Sequence, residues 1–366
     1  MDKKNNYLFL PITFIGIVLC ACLFFGCDWN NKSTKTNNNV STQDIQVNAS
    51  KKITDGQFGV WTNAFAANPG EKFDENVFQK QIQLWKDLGM NNLRTNFERS
   101  GWQPLDKFND LMVKSAQDNN LKLTFIVESP FEDFFKDANY DSGYKWGQLV
   151  GEKYSGKVGY YQLANEVSGT VILPNRNGLK EEDYDPDKYK ILKNYILGLS
   201  KGLKDADPNA KQIVSAHWLG LGVIDKLLND GLDIDVIGWN WYSDMGEDIT
   251  TKKLDEGDVL NIPEHFAKYG KEFWITELNY NAGDSSGEDK QAEFLKNFLD
   301  NCKNSGMVKG YFVYKLVDSI CTEGDKPTSH LGIVKDDFSN KTVSGCDIGE
   351  TKKAFDIYKN FISTNK

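Results

Sequence analysis

Two glutamates stand where short apolar runs give way to polar chain. Glu166 closes GYYQLANE, directly after Asn165, and Glu277 closes KEFWITE. A carboxylate at the end of a buried strand loses its hydration, a cost seldom met unless the group has a role. Two of them at one end of a single sheet suit a particular chemistry. One carboxyl can protonate a glycosidic oxygen while the other, ionised, attacks the anomeric carbon. Carboxyls about 5–5.5 Å apart raise each other's proton affinity, so one keeps its proton.

Something must hold these side chains in place. Eight short apolar runs alternate with helical-period segments: QFGVW (57–61), NNLRT (91–95), KLTFIV (122–127), GYYQLA (159–164), KQIVSA (211–216), DVIGWNW (235–241), EFWIT (272–276) and VKGYFVY (308–314). Between them lie amphipathic stretches such as 75–89, where Val77, Ile82, Trp85 and Leu88 share a face. Residues 186–206 and 288–305 read the same way, and 351–362 reads as the closing helix. Strand–helix alternation with right-handed crossovers gives a parallel sheet, and eight units close it into a (β/α)8 TIM barrel. A doubly wound open sheet is the alternative, but no Gly-rich phosphate loop follows the first strand. The expectation is a single barrel domain over 51–366.

The site of such a barrel lies at the C-terminal ends of its strands. The second predicted strand ends near Arg94 and the third at Glu128. The fourth ends at Asn165-Glu166, the fifth at His217-Trp218 and the sixth at Trp241-Tyr242. Glu277 ends the seventh, and Tyr314-Lys315 the eighth. This layout resembles the clan A glycoside hydrolases, and the segments look most like families 39 and 5. In that clan an Asn-Glu pair ends strand 4 and a Glu ends strand 7, as LANE (163–166) and WITE (274–277) do here. Arg94 in NNLRTN and Tyr242 in WNWYS resemble the clan's strand 2 arginine and strand 6 tyrosine. The resemblance implies Glu166 as acid/base and Glu277 as nucleophile of a retaining β-glycosidase. Arg94 and Tyr242 would bond to Glu277, with Arg94 keeping it ionised. Asn165 would bind the sugar hydroxyl beside the reacting carbon. Two departures stand out. The strand 8 tryptophan common in the clan is replaced by Tyr311, Tyr314 and Lys315, and a histidine that often accompanies the strand 6 tyrosine is missing.

Each residue also has a plainer reading. Glu277 could be a helix N-terminal acid, and Arg94 a structural ion-pair partner. Glu128 is the rival carboxylate, although Pro130 and the following FEDFFKD suggest a loop anchor or outer subsite. His217 reads as a polar rim residue. Trp61, Trp218 and Trp241 could be sugar platforms or core, while Trp85 and Trp146 sit in helical pattern and read as core. The long loop 168–187 would shape the aglycone side.

Composition narrows the classes further. Of 366 residues, 40% are hydrophobic, 26% charged and 13% aromatic, and the net charge is −9. That balance argues against a nucleic-acid partner, which needs a clustered basic surface. The three histidines, His217, His265 and His330, are scattered, and no zinc-ligand spacing occurs. No metal or cofactor is expected, and a metal-dependent hydrolase is the weakest option. A carbohydrate substrate and a monomer are expected. A sugar-binding protein on an inactive glycosidase barrel is the alternative function.

At the N-terminus, Lys3 and Lys4 precede an apolar run over 7–26, then Cys27 and a polar stretch. This resembles a bacterial lipoprotein signal over 1–27, with Cys27 lipidated and Cys22 a rival. An uncleaved membrane anchor is the other reading. Residues 28–50, rich in Asn, Ser, Thr and Lys, read as a flexible tether. The expectation is an envelope protein anchored by lipid, facing outside the cytoplasm. Cys321 and Cys346 could pair in such an oxidising compartment or remain thiols.

Overall fold

The computed structural model describes residues 52–62, 73–254, 257–281, 287–343 and 345–366. The expected signal, Cys27 and the tether lie outside the described residues. Ser50–Lys366 forms one compact unit. Among the described residues, no helix is long and apolar enough to cross a membrane.

The eight expected strands are present as β1 (Gln57–Trp61), β2 (Asn92–Asn96), β3 (Lys122–Val127), β4 (Tyr160–Leu163), β5 (Lys211–His217), β6 (Val236–Tyr242), β7 (Glu272–Asn279) and β8 (Val308–Val313). They pair in parallel and in chain order, and β8 closes onto β1. The flanking helices are α1 (Glu75–Leu88), α2 (Asp106–Asp118), α3 (Tyr140–Tyr154), α4 (Pro186–Ala206), α5 (Leu221–Asn229), α6 (Ile262–Ala267), α7 (Glu288–Ser305) and α8 (Lys353–Asn365).

Local chemistry sets where helices begin and end. The Asp74 carboxylate accepts the N–H groups of Asn76 and Val77 at the start of α1, and Gly89 ends it at φ 69°. Asp185 caps α4 in the same way, and Pro186 fills the first turn, where no N–H is needed.

Side chains alternate across each strand. One phase faces outward: Leu93, Phe125, Tyr161, Val214, Trp239, Trp241 and Ile275 belong to the main core under the helices. The other phase fills the barrel. Tyr160, Ile213, Val236, Trp274 and Phe312 form a separate apolar cluster within it. Asn92, Arg94, Thr124, Gln162, Ser215, Asn240 and Thr276 are also buried, and they bond to one another.

Two devices lock the surrounding layer. Tyr358 of α8 reaches the β1–β8 seam, where its hydroxyl accepts the Gly59 N–H at 3.0 Å and lies 2.7 Å from the Gly59 carbonyl. Beyond β8, a hairpin of Val334–Thr342 and Gly345–Thr351 carries Cys346, which is bonded to Cys321. The pairing left open by the sequence is therefore made. Cys302 is a buried free thiol.

Helices α3 and α4 meet almost backbone to backbone. A Cβ on Gly147 would lie 2.3 Å from the Leu199 carbonyl oxygen, and one on Gly202 2.1 Å from that of Tyr144. Only glycine permits that approach. Gly202→Ala is expected to lower stability by about 1–3 kcal/mol through overpacking. Urea denaturation measures this as a lower midpoint at unchanged slope, and an unchanged midpoint would contradict the close crossing.

Candidate active site

The deepest functional side chain is Arg94. It lies in the inward phase of β2 and is fully buried. A guanidinium there must spend its N–H groups on acceptors, because no water replaces them. Its Nε donates to Gln162 Oε1 at 2.9 Å, Nη1 to Glu277 Oε1 at 3.0 Å, and Nη2 to Asn165 Oδ1 at 3.1 Å. One side chain thus joins β2 to the ends of β4 and β7.

Glu277 reaches this position through an irregularity. Strict alternation from Trp274 would turn Thr276 inward and Glu277 out to the helices. The pairing of β7 with β6 shifts register between Ile275 and Glu277, and the pairing with β8 shifts over the same stretch. The bulge puts Glu277 opposite Asn240 and re-aims its side chain into the barrel. There the carboxylate also accepts from Asn165 Nδ2 at 3.2 Å and from the Tyr242 hydroxyl at 2.6 Å.

Asn165 and Glu166 are presented by a different device. Ala164 (φ 62°) and Glu166 (φ 48°) both adopt left-handed backbone, bracketing Asn165. Such conformations cost about 1–3 kcal/mol each in non-glycine residues and cluster at functional sites. They let two consecutive side chains enter the cleft. Glu166 Oε1 accepts from Asn240 Nδ2 at 3.0 Å, and Asn240 Oδ1 accepts from Thr276 at 2.7 Å. His217 Nδ1 lies 3.8 Å from Glu166 Oε2, so the expected rim histidine stands beside this carboxyl.

The two carboxyls sit in different surroundings. The Glu166 side chain is 34% exposed and that of Glu277 only 7%. Burial pushes the Glu277 carboxyl above the usual carboxylate range; Arg94 pulls it back down, and Glu166 pushes it up again. The sign expected of Arg94 is right, but burial outweighs it, so Glu277 is not held below its ordinary range. Tyr242 is itself raised, first by burial and then by Glu277, and stays a protonated donor.

The tryptophans divide. Trp241 is not a platform: it is fully buried, its ring 6.4 Å from Phe298 of α7 and its Nε1 bonded to Gly246 O. The reason is phase, since it points outward between the inward Asn240 and Tyr242. Trp218 is half-buried and left-handed (φ 54°), and the Lys252 ammonium sits 4.2 Å from its ring centroid. That face is occupied by a cation–π contact. Trp61 does flank the site, with its ring 4.9 Å from that of Tyr314, which in turn lies 6.4 Å from Tyr242. Of the strand 8 trio, Tyr314 alone joins this wall. Tyr311 packs outward on Phe58 and Phe361, and Lys315 Nζ turns to Ser319 and Glu323. Trp85 and Trp146 are core, as expected.

Sequence reading missed Gln162, Ser215, Asn240 and Thr276, the polar groups beneath the pair. Their signal was present: each is a polar residue in the inward phase of a strand already identified.

The family described as "Glycosyl hydrolase catalytic core" matches residues 231–336, a stretch holding Tyr242 and Glu277. No curated protein matches the sequence. Among solved structures, the family 1 β-glucosidase from Thermotoga maritima superposes with TM-score 0.60 at 14% identity, covering 87% of this chain and 99% of its own. The Thermotoga maritima β-glucosidase in complex with glucoimidazole gives 0.59 at 14% identity, covering 86% and 99%. The deoxynojirimycin complex gives 0.60 at 15% identity with the same coverage. The likeness is one of fold: this chain shares their barrel over nearly its whole described length.

Because Tyr242 bonds Glu277 in a dry setting, its hydroxyl favours the ionised carboxylate. In Tyr242→Phe the Glu277 carboxyl is expected to titrate at higher pH than in the wild type. NMR of carboxyl-labelled protein follows it, and an unmoved titration would remove Tyr242 from this role.

Proposed function

We propose that the chain is a retaining glycoside hydrolase acting on β-glycosidic bonds, with Glu277 as nucleophile and Glu166 as acid/base. The observation that carries this reading is the carboxylate of Glu277. It is buried, held by Arg94, Asn165 and Tyr242, and it shares the barrel mouth with a second, more exposed carboxyl. A group presented so is fixed in direction and has one lone-pair face left for substrate.

The chemistry follows from that placement. A Glu277 oxygen attacks the anomeric carbon as the bond to the leaving oxygen breaks. The Glu166 proton passes to that oxygen. Water then attacks the glycosyl-enzyme ester, Glu166 takes its proton, and Glu277 is released ionised. Glu166 must exchange protons with solvent between steps, which its greater exposure permits. Asn165 keeps one amide N–H beyond its bond to Glu277, available to the neighbouring sugar hydroxyl. Tyr314 and Trp61 offer an aromatic wall for the ring. An inactive sugar-binding barrel would not need this full set of bonds to one carboxylate.

At the level of the clan, the LANE and WITE motifs and the shared barrel support membership of clan A. The motifs look like families 39 and 5, whereas the solved relatives named above are of family 1, so the reading is kept at the clan. The protein would work as a monomer, without cofactor, on an oligo- or polysaccharide. We also propose that it is held at the bacterial envelope by a lipid on Cys27. The N-terminal pattern supports this, and the Cys321–Cys346 bond fits an oxidising compartment.

With an activated aryl β-glycoside, Glu277→Gln is expected to lower kcat by at least about 10⁴-fold, judged by the cost of losing a nucleophile outright. Proton NMR of early product should show the substrate's own anomeric configuration, and an inverted product would end the retaining mechanism. A 2-fluoro sugar trap should add mass on the peptide bearing Glu277. For the anchor, cells fed labelled palmitate should label the wild type and not Cys27→Ser. Label surviving in that variant would move the site to Cys22 or elsewhere.

A further inference from the structure

We propose that the hairpin after β2 and helix α3 form a second glycan-binding site, apart from the carboxyl pair, with Trp102 as its platform and an uncharged polysaccharide segment as its ligand. The inference rests on the proposed function, because it gives the polymer a place to be held while the barrel mouth acts on it.

The hairpin projects one ring. Arg99 pairs with Pro104 and Ser100 with Gln103, and Gly101 (φ 54°) and Trp102 make the tip between them. Its base is pinned twice. The Leu105 N–H donates to the Glu98 carbonyl at 2.9 Å, and the Asn109 amide of α2 accepts the Glu98 N–H and donates to the Glu98 carbonyl, each at 2.8 Å. Trp102 then packs edge-to-face on Phe131 (centroids 5.4 Å apart, planes at 80°) and on the fully buried Trp146 (5.7 Å, 84°). Trp146 is itself fixed, its Nε1 donating to the Glu128 carbonyl at 3.0 Å.

Despite this packing Trp102 stays 38% exposed, and among the described residues no other tryptophan is exposed. A ring that is both immobilised and wet loses little entropy when it binds. It opens on a groove of about 1040 Å³, lined by Trp102, Gln103 and Pro104 from the hairpin and by Lys145, Gln148 and Glu152 from α3. That is at the large end of the roughly 300–1,000 Å³ of ligand clefts. None of these residues belongs to the site around Glu166 and Glu277.

The lining selects the ligand class. A pyranose ring has an apolar C–H face and a rim of hydroxyls, each able to donate and accept. The face suits an indole, and the rim suits the amides, ammonium and carboxylate beside it. Among the described residues, the side chains of Gln103, Lys145, Gln148 and Glu152 make no hydrogen bond or ion pair, so their polar groups are open to a ligand. Charge is balanced: Lys153 pairs with Asp106 at 2.6 Å within the same lining, and Lys145 offsets Glu152. A patch without net charge does not attract a nucleic acid or an acidic glycan, which leaves a neutral one.

Full-length protein is run in non-denaturing gels containing hydroxyethyl cellulose, xylan, β-mannan or β-galactan, and retardation gives a Kd for each. All binding arms carry Glu277→Gln, so that no polymer is cut. At least one polymer should retard this protein, and no retardation in any gel overturns the proposal. Trp102→Ala should raise the Kd for that polymer at least about fivefold, from the loss of one stacked ring. Lys145→Ala combined with Gln148→Ala leaves the hairpin packing intact and should raise it at least about threefold; it serves if the Trp102 variant does not fold. Unchanged binding in a folded variant overturns the proposal. With Glu277 restored, Trp102→Ala should keep kcat/KM on an aryl β-glycoside within about twofold of wild type, since that substrate never reaches the groove. A loss on the aryl glycoside as large as that on the polymer would place Trp102 in the catalytic cleft and also overturn it. The two readings fail separately. If the wild type hydrolyses no aryl glycoside but the gels still show Trp102-dependent retardation, the glycosidase reading fails and the groove stands. If it hydrolyses the glycoside and neither variant loosens the polymer, the groove alone fails.

Discussion

A guanidinium buried at the centre of the barrel governs the arrangement of the site. Arg94 is sealed from water, and removing the partner of such a charge is costly. Its three bonded acceptors lie on Gln162, Asn165 and Glu277, so the ends of β4 and β7 must present oxygen at the height of Arg94. This explains why the upper interior is polar while the Trp274–Phe312 cluster is apolar. A hydrophobic residue at Gln162 or Asn165 would leave an N–H of the arginine unpaired. The same bonds orient the Glu277 carboxylate, so what satisfies the arginine also fixes the proposed nucleophile.

Meeting that demand needs two departures from regular structure, and they differ in kind. On β7 a bulge changes the phase of the strand and turns Glu277 inward without left-handed backbone. On β4 the strand stops early, and Ala164 and Glu166 enter the left-handed region instead. The bulge is held by ladder bonds on both sides. The β4 turn has no further ladder and is held by side chains of Gln162 and Ser215. It is therefore the more sensitive of the two to single substitutions, and it carries Glu166, the proposed acid/base.

The barrel was legible because strand formation and burial both leave period-2 and apolar-run signatures. All eight strands fall within three residues of their expected bounds, and LANE and WITE mark the ends that matter. What was not legible is phase. Trp241 looks like a platform by its place at a strand end, yet alternation sends it into the core between Asn240 and Tyr242. Glu277 should face outward by the same rule, and only the bulge prevents it. Nothing in WITE announces an extra residue in the pairing, because bulges arise from the fit between neighbouring strands. Gln162, Ser215, Asn240 and Thr276 could have been found by counting in twos along strands already assigned. The Cys321–Cys346 bond depended on a hairpin fold that the local sequence does not encode by spacing.

The two carboxyls differ most in exposure. Glu277 is buried and raised, so it ionises only above the ordinary carboxylate range, and Arg94 limits that rise. On the proposed reading a protonated Glu277 cannot attack, so its ionisation sets the acid side of the working range. Asn240, itself held by the Thr276 hydroxyl, donates to Glu166 Oε1 and keeps that carboxyl directed. One carboxyl is thus dry and braced and the other more exposed, and the bulge and the strained turn present the two at the mouth of one barrel.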